Sequence, residues 1–76
     1  MKFAETACAV HVEFLKYELR VSLSDGRKIS VPLEYFPRLR DASSAERNDW
    51  RLIGGGVGIH WERLDEDISI EGLLKA

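Results

Sequence analysis

Hydrophobic residues recur at every second position through the first half of the chain. Val10, Val12 and Phe14 alternate with His11, Glu13 and Leu15. Leu19, Val21 and Leu23 alternate with Glu18, Arg20 and Ser22, and Ile29, Val31 and Leu33 with Lys28, Ser30 and Pro32. A period of two puts one face of each segment on a core and the other in water, which predicts three strands. Ser24-Asp25-Gly26-Arg27 separates the second from the third. Asp-Gly supplies the positive φ angles of a tight hairpin turn, and Lys16-Tyr17 closes the preceding hairpin. Pro32 has no N–H for a ladder, so the third strand ends there or lies at an edge.

The period then changes. Leu33, Phe36 and Leu39 follow helical spacing, interrupted by Pro37. Ser43-Ser44-Ala45-Glu46 has the form of a capping box, which predicts a short helix continuing through Asn48 to Trp50. Arg51-Leu52-Ile53 and Val57-Gly58-Ile59-His60-Trp61 read as two short strands around a glycine turn, with Ile59 and Trp61 on one face and His60 on the other. Asp65-Glu66-Asp67 reads as an acidic turn. Ser69 then caps a last helical turn that packs Ile70, Leu73 and Leu74 inward. This order predicts an α+β fold: a single domain over residues 1–76, built as a small, mainly antiparallel sheet with short helices on one face.

Composition narrows the class. At 76 residues the chain buries about 60% of its unfolded surface. Domains this small often draw support from a disulfide, a metal or a partner. Cys8 is the only cysteine, and His11 and His60 lie far apart, so an internal disulfide is excluded and no metal cage is expected. A partner protein or a second copy of the chain remains. Hydrophobic residues at 45% exclude a disordered chain, and a net charge of −2 gives no global attraction to nucleic acid or anionic membrane. No apolar run approaches a membrane span, and the first residues have no signal-peptide core. With a lone cysteine, this points to the cytoplasm.

Candidate chemistry is sparse. Gly54-Gly55-Gly56-Val57-Gly58 could cradle a phosphate, but no Lys-Ser/Thr follows and the next segment reads as a strand, so a hairpin turn is expected. His60-Trp61-Glu62 matches half of a zinc deaminase signature and lacks its Pro-Cys-x-x-Cys half. Asp65, Glu66, Asp67 and Glu71 do not follow calcium-loop spacing and read as a solvated acidic surface able to steer a basic partner. Arg38, Arg40, Arg47 and Arg51 lie near Trp50 and could contact nucleic acid, although Asp41, Glu46 and Asp49 interrupt them. Cys8 reads as a small apolar residue rather than a nucleophile.

Leu23-Ser24-Asp25-Gly26-Arg27, Val31-Pro32-Leu33-Glu34, Phe36-Pro37-Arg38-Leu39, Gly58-Ile59-His60-Trp61 and Leu64-Asp65-Glu66-Asp67-Ile68-Ser69, in that order, resemble the bacterial family called domain of unknown function 2442. The resemblance implies a compact α+β domain, which some members fuse to a DNA-binding helix-turn-helix. It also implies one half of a two-gene, toxin–antitoxin-type module, and it brings no catalytic residues. The expected function is a non-enzymatic protein-interaction module, an antitoxin-like partner of a small protein. It is expected to need no cofactor and to dock through Trp61, His60, Asp65, Glu66 and Asp67. Two other readings stand beside it: a nucleic-acid-binding regulator using Arg38, Arg40, Arg47 and Arg51, and a small metal- or phosphate-dependent enzyme. Trp50, Trp61 and Tyr35 are expected to be partly core; if one of them is exposed, it becomes a binding hot-spot candidate.

Overall fold

The computed structural model describes residues 7–75. Their order is β1 (Ala9–Phe14), β2 (Glu18–Leu23), β3 (Lys28–Pro32), a 3-10 turn (Leu33–Tyr35), α1 (Pro37–Arg40), α2 (Ser44–Arg47), β4 (Trp50–Ile53), β5 (Gly58–Trp61), β6 (Glu66–Ser69) and α3 (Ile70–Lys75). The fold is α+β, and every strand pairing is antiparallel. The strands form two three-stranded meanders, β1-β2-β3 and β4-β5-β6, rather than the one sheet expected. None of the helices is long and apolar enough to cross a membrane among the described residues.

Local chemistry sets most of these elements. Leu19, Val21 and Leu23 of the central strand β2 are all buried, as their period of two requires. In β1 that period fails: Ala9 pairs with Leu23 and His11 with Ser22, leaving Val10 as an extra residue. This bulge turns Val10 and His11 outward together, and Val10 is 54% exposed. The β2–β3 turn also differs from expectation. Only Gly26 takes a positive φ, at 94°, while the Asp25 carboxylate accepts from the Arg27 backbone N–H at 3.0 Å. It is a four-residue turn with one left-handed glycine.

Pro37 opens α1 as its first residue, after Phe36 breaks the preceding 3-10 turn. The capping box of α2 is complete: Ser43 Oγ accepts from the Glu46 N–H, and the Glu46 carboxylate accepts from the Ser43 N–H. α2 stops at Arg47, so Trp50 begins β4 instead of ending a helix. Glu66–Ser69 is a strand rather than an acidic turn, because its Ile68 pairs with Ile59 and buries on the same core. Ser69 Oγ caps α3 by accepting from the Gly72 N–H at 3.0 Å.

One core serves both sheets. Its fully buried side chains come from β2 (Leu19, Val21), α1 (Leu39), β5 (Ile59, Trp61) and α3 (Ile70). The sheets meet at the glycine turn, where the Ala9 N–H of β1 donates to the Gly56 carbonyl at 2.7 Å. The Ile70 N–H donates to Val57 next to it, at 2.9 Å. Trp61 adds an edge-on contact with Phe14, and its indole N–H donates to the Arg47 carbonyl at 2.9 Å. Trp61 therefore joins both sheets to the α2 segment.

Candidate functional site

β3 and β6 are the outer strands of their sheets, each paired on one side only. The Leu33 N–H donates inward to Tyr17, so by the alternation of an antiparallel ladder the N–H positions of residues 30 and 32 face outward. Pro32 thus occupies a position where a missing N–H costs the ladder nothing. Between this edge and β6 lies a groove of about 290 Å3, floored by Val31, Phe36, Ile68 and Leu73. Tyr35 stands at its mouth, 66% exposed, and Asp67 lies on its β6 side.

The residues expected to dock a partner are divided by the fold. Trp61 is a correction: it has no exposed surface and belongs to the core, because its position in the central strand β5 points inward. His60, its neighbour, faces outward and sits directly across the ladder from Asp67. His60 Nδ1 bonds the Asp67 carboxylate, and Nε2 lies 3.1 Å from Glu62 Oε1. Arg51 reaches the same Glu62 oxygen at 3.3 Å. With a carboxylate at each ring nitrogen, only the imidazolium can donate to both. The Asp67 hydrogen bond raises the His60 pKa above its ordinary value, against an opposing contribution from desolvation. Both ring nitrogens are thus engaged by carboxylates, which holds the imidazole in place on the outer face of β5.

Asp65 and Glu66 do not join that network. Asp65 sits in the β5–β6 turn with φ 52°, the one non-glycine positive φ among the described residues. Arg38 holds this turn by donating to the carbonyls of Leu64 (3.3 Å) and Asp65 (2.7 Å). Glu66 is half-buried in β6. Among the described residues, no group of three or more His, Cys, Asp or Glu side chains is arranged to hold a metal ion. The glycine run is a hairpin turn leading into a strand, with Gly54, Gly55 and Gly56 all at positive φ and the Gly56 carbonyl used by Ala9. Cys8 is half-buried with a free thiol.

The four arginines are divided: Arg40 and Arg47 meet at the end of α1, while Arg38 and Arg51 serve other segments. Arg38 serves the Asp65 turn, and Arg51 pairs with Glu62. Arg40 pairs with Asp41 and Glu34. Arg47 donates to the carbonyls of Leu39 (2.8 Å) and Arg40 (2.6 Å), closing the end of α1. The groove between β3 and β6 escaped sequence reasoning because its walls come from segments more than thirty positions apart; the one signal toward it was Pro32 as an edge marker.

A family model described as protein of unknown function (DUF2442) matches residues 9–76. A crystal structure of a protein of unknown function from Rhodospirillum rubrum is similar, with a TM-score of 0.79 and 27% identity. The alignment covers 93% of this chain and 88% of that one. No curated protein matches. The ordered motifs, the two-meander fold and the family match over nearly the whole chain place it in one group: it belongs to the DUF2442 family.

Proposed function

We propose that this domain is a non-enzymatic protein-interaction module of the cytoplasm, the antitoxin-like partner of a small protein. The observation that supports it is the pair of free strand edges, β3 and β6, on either side of an apolar-floored groove. Unpaired N–H and C=O groups on an edge accept an extended segment as an added strand, and alternate side chains of that segment fill the adjoining groove. In this reading the short helices shield one side of the strands and leave the outer edges to the partner. Tyr35 is the anchor: an exposed tyrosine at a groove mouth offers apolar area with a polar tip. Asp65, Glu66 and Asp67 near the β6 edge steer a basic partner. The carboxylate pairing of Arg40 and Arg51 favours this reading over a nucleic-acid surface.

A tagged pull-down at low salt, followed by titration with the recovered protein, tests the proposal. Ser30→Pro removes an outward edge N–H, and Tyr35→Ala removes the anchor. Each is expected to weaken binding by about tenfold or more while the far-ultraviolet circular dichroism stays unchanged. Full affinity in both folded variants would exclude this groove as the docking site.

A further inference from the structure

A second cleft, which shares no lining residue with the β3–β6 groove, lies where the end of β3 meets the β1–β2 turn. It measures about 510 Å3, and Lys16, Tyr17, Pro32, Glu34, Arg40 and Arg47 line it. These residues come from the β1–β2 turn, the end of β3, the 3-10 turn, α1 and α2, so the cleft exists only in the folded chain. Its charge is unevenly compensated. Arg40 is held by Glu34 at 3.2 Å and Asp41 at 3.0 Å, but no carboxylate among the described residues lies within ion-pair distance of Lys16 or Arg47. Arg47 is also fixed in place: its Nε and Nη2 are tied to backbone carbonyls, which leaves the Nη1 donors unassigned. A guanidinium held this way is preorganised for an oxyanion. Beside it, Tyr17 is 73% exposed, and the Lys16 ammonium lies 5.3 Å from its ring centroid.

We infer that this cleft binds a nucleoside monophosphate or an organic phosphate of that size, with the phosphate between Lys16 and Arg47 and a planar ring against Tyr17. Glu34 repels the phosphate from the Arg40 end and can accept hydrogen bonds from sugar hydroxyls. The volume falls in the range of small-ligand sites, roughly 300–1,000 Å3. A long nucleic acid fits poorly. Among the described residues, Arg20, Arg27, Arg51 and Arg63 lie against carboxylates, and the whole chain carries −2, which disfavours a long cationic track.

The test is a heteronuclear NMR titration of the full chain with adenosine 5′-monophosphate, inorganic phosphate, adenosine and a single-stranded oligonucleotide in parallel. Saturable shifts centred on Lys16, Tyr17 and Arg47 are expected with the monophosphate, stronger than with phosphate or adenosine alone. Lys16→Glu is expected to weaken binding by about tenfold or more, and Tyr17→Ala to erase the preference over inorganic phosphate. Both positions lie in an exposed turn, so thermal melts should confirm folded variants. The inference is overturned by no saturable shift with the monophosphate, by unchanged affinity in both folded variants, or by equal binding of inorganic phosphate. It is also overturned if the oligonucleotide binds elsewhere while the monophosphate is silent.

Discussion

At the scale of single residues, Gly56 and His60 carry the most specific constraints. A Cβ added at Gly56 would lie 2.5 Å from the Ala9 carbonyl oxygen and 2.9 Å from Cys8 Cβ, at a φ of 108°. Gly55 shares the positive φ but faces open space. Gly56→Ala should therefore cost about 3 kcal/mol or more and Gly55→Ala about 1 kcal/mol, read as the difference in urea midpoints. The run of three glycines was legible as a turn. Which of them touches β1 was not, because Ala9 and Gly56 are brought together only by the packing of the two sheets. His60 was legible as an outward strand residue, but its bond to Asp67 depends on β6 being a strand. Its raised pKa has a definite sign. Stabilisation from the His60 network is complete below the unfolded pKa of 6.5 and disappears as pH rises through the higher folded value. The His60 ring protons should titrate above pH 6.5 in the wild type, and Asp67→Asn should move that midpoint down.

At the scale of elements, stability comes from termini and edges more than from length. α1 and α2 have four residues each, too short to persist alone. α2 buries no residue and rests on its capping box. Ser43→Ala should cost about 1 kcal/mol by thermal or urea denaturation. The Ser43 backbone N–H holds the Glu46 carboxyl below its ordinary pKa, so this contribution is present above pH 4.5 and fades as pH falls through the folded value. The box was fully readable from Ser43 and Glu46, since both bonds are local. The assignment of Glu66–Ser69 was not, because three acidic and polar residues around one isoleucine carry no period strong enough to announce a strand. β6 forms because Ile68 finds Ile59 across the ladder.

At the scale of the whole molecule, the two meanders share one core, and Trp61 is its centre. Trp61→Ala removes a fully buried indole, its contact with Phe14 and its bond to Arg47. The expected loss of about 3–5 kcal/mol approaches the whole stability of a domain this small. The variant should be largely unfolded by circular dichroism, whereas the wild type should show coincident transitions by circular dichroism and tryptophan emission. Alternation along β2, the Pro37 break, the capping box and the glycine turn were determined by the sequence alone, because each rests on neighbours within a few positions. The division into two sheets, the strand identity of Glu66–Ser69, the division of the arginines and both clefts were decided only by tertiary structure. They depend on meetings such as Ala9 with Gly56 across the two sheets, and on Lys16 and Arg47 lining one cleft, and local propensity does not encode which distant segments will meet.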